Sequence, residues 1–154
     1  MDNISLFPVD IDNNIDLAED FKENVTEYKK APYFDSVTGD FLMDGSGSIL
    51  DANEIETYIQ WCETVVATNR YKCDAYTTDI GIDYDSVFSA STHEEAETIL
   101  ESEISEALLV DPYNRTNYVQ NVSCEWIGTN EVHVLIEVVA FENEIVTIDT
   151  VISK

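Results

Sequence analysis

The sequence predicts an α+β fold: an antiparallel C-terminal β-meander packed with two main helices, plus a small N-terminal hairpin and an extended N-terminal arm. Three observations predict it. Apolar residues recur at helical spacing in two stretches, Ile55-Ile59-Cys62-Val66 and Ala96-Ile99-Leu100-Ile104-Ala107-Leu108. The last third of the chain consists of β-branched runs separated by Gly128-Thr129-Asn130 and Glu142-Asn143. Between residues 33 and 50, short aromatic segments are punctuated by Gly and Asp, as in a small hairpin.

Taken in order, residues 1–30 read as an arm and 31–154 as a single domain. Met1–Tyr28 holds eight acids and one base, Lys22, with an apolar cluster of Ile4, Leu6, Phe7 and Val9 at its start. Tyr33-Phe34-Asp35 and Asp40-Phe41-Leu42-Met43 flank the turn Ser36–Gly39, and a second turn, Asp44–Gly47, leads into Ser48-Ile49-Leu50. A helix follows, capped by Asp51 or Asn53 and running to about Thr68. Asn69–Gly81 reads as a strand or irregular connector, and Asp83–Phe88 as one helical turn. Thr92-His93-Glu94-Glu95 matches a capping box, in which a hydroxyl and a carboxylate three residues apart satisfy each other's end of the helix. Pro112 stops that second helix. Val119–Ile127, Glu131–Phe141 and Glu144–Ile152 then form the meander.

Charge excludes several functions. The chain has 154 residues, with 32 Asp+Glu against 7 Lys+Arg and a formal charge of −25. Phosphate backbones and anionic membranes are held by Lys and Arg, so neither nucleic acid nor a membrane surface is an expected partner. A hydrophobic content of 44% shows that the chain as a whole is not a disordered acidic tail. Met1–Asp20 lacks the basic and apolar regions of an export signal, and no stretch approaches the roughly 18 apolar residues of a membrane span. Cys62, Cys73 and Cys124 are odd in number and scattered, which fits reduced thiols in a cytosol. The sequons at Asn3, Asn24, Asn114 and Asn121 carry little meaning without a secretory route.

No catalytic, cofactor or metal residues emerge. Asp44-Gly45-Ser46-Gly47-Ser48-Ile49 resembles part of a calcium loop, but aligning it on Gly47 puts Leu42 and Asn53 where the first and last ligands belong. Paired carboxylates are too numerous to single out a hydrolase pair. There is no nucleophile elbow, phosphate loop or dinucleotide fingerprint. Cys62 lies on an apolar helical stripe as a small core residue. His93 sits inside the capping box and reads as solvated. His133 opens a strand, and the two histidines are too far apart for a local zinc site. Arg70 and Arg115 are the only arginines. Arg70, just past the first helix and beside tyrosines, can either cap its own helix or, in an intermolecular role, stack on rings and clasp carboxylates or carbonyls with its planar fork.

The ordered run Tyr33-Phe34-Asp35, Thr38-Gly39-Asp40-Phe41, Asp44-Gly45, Trp61, Thr68-Asn69-Arg70-Tyr71, Tyr76, Gly81, Glu103 and Glu106–Pro112 resembles the short baseplate wedge protein of contractile phage tails. That family is similar to the sheath initiator and to its type VI secretion counterpart. The resemblance spans about residues 5–145, and Ser5-Leu6-Phe7-Pro8 fits the variant of Gram-positive myophages and prophages. It implies a structural protein of the virion baseplate, not an enzyme, assembled in the host bacterial cytoplasm, with one copy on each of six wedges. Its implied partners are the tail sheath protein and the larger wedge proteins, with tail tube or hub proteins as further neighbours. Arg70 falls about where the family carries a Glu-Arg or Glu-Pro-Arg element that contacts the wedge core, although Asn69 precedes it here. An exposed strand edge is a template for another chain. On this reading the residues expected at partner surfaces are Arg70, Tyr71 and Tyr76, then Val132, Val134 and Ile136 on one strand and Val146 and Ile148 on the next. The alternative is an acidic binding module or inhibitor that mimics nucleic-acid charge, whose binding should fall steeply with salt.

Overall fold

A computed structural model describes residue 28 and residues 30–35, 38–72 and 76–154. The elements are β1 (Phe34–Asp35), β2 (Asp40–Phe41), α1 (Glu54–Ala67), α2 (Tyr84–Phe88), α3 (His93–Leu109), β3 (Thr116–Trp126), β4 (Glu131–Ala140) and β5 (Ile145–Ser153). The apolar cluster Ile4–Val9, Cys73 and nearly all of the expected arm lie outside the described residues. Tyr28 is described: its ring packs edge-on against Tyr58 and Phe141, and its hydroxyl donates to the Phe141 carbonyl at 3.2 Å.

Local chemistry accounts for the helix starts. Asn53 Oδ1 accepts from the Glu56 amide, and the Glu56 carboxylate accepts from the Asn53 amide, each at 2.9 Å, a reciprocal capping box. At α3 the box expected from sequence closes one way only. Thr92 Oγ1 accepts from the Glu95 amide at 3.2 Å, but the Glu95 carboxylate accepts from the Ser91 amide, one residue upstream of the cap. The helix ends at Leu109, ahead of Pro112.

β3, β4 and β5 form an antiparallel sheet with β4 in the centre. β3 begins at Thr116, three residues before the expected Val119, because irregularities between Thr116 and Tyr118 and between Val119 and Asn121 let the pairing continue back to Ala140. The helices cover one face of the sheet. Tyr58, Cys62, Val65 and Val66 of α1 and Leu100, Ile104, Ala107 and Leu108 of α3 meet Val132, Val134, Ile136 and Val138 of β4 and Val146, Ile148 and Ile152 of β5. Cys62 is therefore the core residue that its stripe predicts.

One polar group stands inside this core. Arg115 is 2% exposed and paired with the equally buried Asp111. Asp111 Oδ2 accepts from the Arg115 backbone amide at 2.7 Å and from Nε at 2.9 Å, while Oδ1 accepts from Nη2 at 2.8 Å. The guanidinium lies over the rings of Tyr58, Trp61 and Tyr113 at 5.0–5.4 Å from their centroids. The ring-stacked arginine is thus Arg115, not the Arg70 that its tyrosine neighbours suggested.

Removing one partner strands the other charge in the core. Arg115→Met should cost about 3–5 kcal/mol in urea unfolding. Lys154→Met, which removes an exposed pair with Asp85, should stay within about 1 kcal/mol. A loss below 1 kcal/mol for Arg115→Met would show that the pair does not hold the core.

Candidate assembly edge

The expected partner residues fall into three structural settings. Arg70 is 6% exposed and turned inward. Its Nε donates to the Gly81 carbonyl at 2.9 Å, and Nη1 lies 3.5 Å from Glu103 and 3.7 Å from Glu106 on α3. The Arg70 amide donates to Ile82 O at 2.8 Å, and the Ile82 amide to Thr68 O at 2.9 Å. Arg70 therefore neither caps α1 nor offers its fork to solvent; it ties the end of α1, the approach to α2, and α3 together. Tyr71 and Tyr76, beside it, are on the surface, 66% and 45% exposed.

Val132, Val134 and Ile136 sit on the central strand with their side chains fully buried. β4 is hydrogen-bonded on both sides, so its backbone cannot take a third strand, and these three side chains are shut in the core. This corrects the expectation that Glu131–Phe141 supplies an edge. Val146 and Ile148 are also core residues, yet their strand, β5, is an edge. Their part is to hold that edge in place.

The two edges of the sheet differ. β3 carries two register irregularities, whereas β5 pairs with β4 over nine consecutive residues without a shift. Its sequence, Ile145-Val-Thr-Ile-Asp-Thr-Val-Ile-Ser153, holds no proline or lysine and a single charge, Asp149. Long, regular strands without such guards are open templates for pairing. The Ala140 amide donates to Glu144 O, and the Lys154 amide to Asn130 O. Antiparallel alternation between those two bonds assigns the even residues of β5 to the β4 ladder and turns the amides and carbonyls of Ile145, Thr147, Asp149, Val151 and Ser153 outward. Among the described residues no strand occupies that outer side.

A groove of about 480 Å³ runs beside this edge, with Asp149 and Thr150 of β5 on one side, Phe34 and Phe41 of the hairpin on the other, and Gln60, Glu63, Thr64 and Ala67 of α1 as its floor. The Phe34 and Phe41 rings meet edge-on at 5.5 Å, and each is more than 40% exposed. Gln60 fixes the hairpin to α1 by accepting from the Phe34 amide at 3.2 Å. Partial burial pushes the Glu63 carboxyl above the usual carboxylate range. The sequence pointed to none of these as site residues. Phe34 and Phe41 are legible as strand residues and Glu63 as a helical one, but only the tertiary fold brings them beside β5.

The remaining candidates behave as structural groups. Asp44 accepts from the Ser46 hydroxyl at 2.6 Å and from the Ser48 and Ser46 amides at 2.9 and 2.8 Å, closing a turn, and these bonds, the hydroxyl's first, hold its pKa below the usual value. Burial pushes the Cys62 thiol up to about 12, so it stays protonated at neutral pH. His93 is exposed but stacks on Trp126 at 4.2 Å between centroids, and His133 pairs with Asp149 across β4 and β5. Among the described residues no three His, Cys, Asp or Glu side chains form a metal-binding group, and no helix is long and apolar enough to cross a membrane.

Among the described residues, fold and edge together define a small α+β domain whose regular edge strand, β5, has no strand on its outer side. The chain belongs to the contractile injection system sheath initiator family, which it matches over residues 31–143. Proteins of this family are structural components of contractile injection systems, associated with sheath and baseplate in the tail. A comparison with curated proteins finds no match.

The inward placement of Arg70 depends on Gly81, whose φ is +97° and whose position would put a Cβ 2.6 Å from Thr68 O. Gly81→Ala should therefore destabilise the chain by about 2–4 kcal/mol through backbone strain and displacement of the Thr68–Ile82 bond. Urea unfolding measures the loss, and a change under 1 kcal/mol would mean that this crossing is not constrained.

Proposed function

We propose that this chain starts tail-sheath polymerisation by accepting an extended arm of a sheath subunit as a fourth strand on β5. The single observation that carries the reading is the β5 edge itself: nine regularly paired residues with their outward amides and carbonyls unguarded, beside a groove that can take the arm's side chains. The first ring of sheath would then find its strand pairing already begun, and six wedge-borne copies would set its symmetry. Tyr71 and Tyr76, on a different part of the surface, are the residues we assign to the larger wedge proteins, with Arg70 holding their loop from inside. No catalytic step is involved. The acidic surface keeps free subunits from pairing edge to edge before assembly.

Thr147→Pro tests this directly. The Thr147 amide points away from β4, so proline removes an outward donor and blocks strand addition while leaving the internal ladder intact. The purified variant should melt within a few degrees of the parent. Particles made in cells lacking the gene and supplied with the variant should show tubes and baseplates without sheath in electron micrographs. Normally sheathed tails would overturn the reading. If the partner were instead lost at moderate salt and untouched by Thr147→Pro, the acidic-mimic alternative would take its place.

A further inference from the structure

We propose that the strand docking on β5 carries a lysine or arginine on its α1-facing side, set against Glu63, with apolar neighbours that pack on Phe34 and Phe41. The inference rests on β5 being the acceptor edge and specifies the chemistry of what it accepts. Residues of an added strand that lie opposite Ile148 and Thr150 project to the same side of the sheet as those two, which is the side of α1. Their side chains therefore enter the groove floored by Gln60, Glu63 and Ala67.

Four acids line this groove and the one continuous with it, Asp35, Glu56, Glu63 and Asp149, and no base does. Three already have work within the fold. Asp35 binds Thr38, Glu56 closes the α1 capping box, and Asp149 pairs with His133. Glu63 is half-buried and makes no hydrogen bond or ion pair among the described residues. An apolar strand laid over it would strip its remaining water and leave an uncompensated carboxylate, a costly outcome unless the strand brings a cation. A second copy of this chain cannot supply one from its own edge, because β5 contains no base and its one charge is the acid Asp149. A basic position on a sheath arm meets the requirement.

The experiment uses overlapping peptides that tile the tail-sheath protein of the same contractile system. They are titrated against the full chain and its Thr147→Pro, Glu63→Gln and Glu63→Lys variants, with thermal melts confirming that each variant folds. The binding peptide should contain Lys or Arg, weaken about tenfold against Glu63→Gln and still further against Glu63→Lys. Replacing its base with Glu should recover affinity for Glu63→Lys. Unchanged binding to both Glu63 variants, together with loss on Thr147→Pro, would overturn this inference and leave the edge reading standing. Binding indifferent to Thr147→Pro, or no binding peptide at all, would overturn both.

Discussion

The buried contact between Arg115 and Asp111 decides how the helical layer meets the sheet. Two hydrogen bonds to Asp111 hold the guanidinium in place, a third ties the Arg115 backbone amide to the same carboxylate, and the guanidinium packs against Tyr58 and Trp61 of α1 and Tyr113 of its own turn. The Arg115 carbonyl also accepts from the Phe141 amide at 2.7 Å, in the turn between β4 and β5. One residue thus joins α1, the α3–β3 turn and the far end of the meander, just where Thr116 enters register with Ala140. Buried ion pairs give little net stability over apolar replacements, because desolvation offsets most of the attraction. What this pair supplies is a defined geometry. The Asp111 carboxylate takes Nε, Nη2 and the backbone amide of Arg115 together, and this fork geometry sets the turn from which β3 starts.

The same economy shapes the surface. Both arginines of the chain point inward, Arg115 to Asp111 and Arg70 to Gly81 and α3. Among the described residues, Lys30, Lys72 and Lys154 are the remaining Lys and Arg. The described surface is therefore acidic, the sign of charge that disfavours contact between two copies. A bulged β3 and a regular β5 complete the arrangement, leaving one edge of the sheet as a template and the other irregular.

Much of the fold was legible in the sequence because it rests on periodicity. The α3 stripe from Ala96 to Leu108, the three β-branched runs and the turn residues between them are local signals, and the structure follows them to within a few residues. The candidate edge was legible only in part. β-Branched composition marks Glu131–Phe141 and Glu144–Ile152 as strands, but strand order is a tertiary property, and a core-lining central strand reads much like a core-lining edge strand. Arg70 escapes a local reading for the same reason. Flanking tyrosines suggested ring stacking for Arg70, whereas the rings that surround Arg115 come mainly from a helix more than fifty residues earlier in the chain. Asp111 and Arg115, four residues apart across a proline turn, are the one local signal of this pair in the sequence.

The groove beside β5 shows how such a domain can be stable alone and still prefer company. Phe34 and Phe41 shield each other but leave their outer faces to solvent. Glu63 sits half-buried on α1 with its carboxyl pushed upward by lost hydration. Each feature is tolerable in the free subunit, because water still reaches the groove and the Asp111–Arg115 core does not depend on it. Each becomes favourable when an extended segment with apolar and basic residues covers the groove, since buried ring area and a neutralised carboxylate are gained together with the backbone ladder. The unguarded edge supplies affinity for any strand. On this reading the groove selects among strands, and a sheath arm is distinguished from a second copy of the chain by the sign of one side chain.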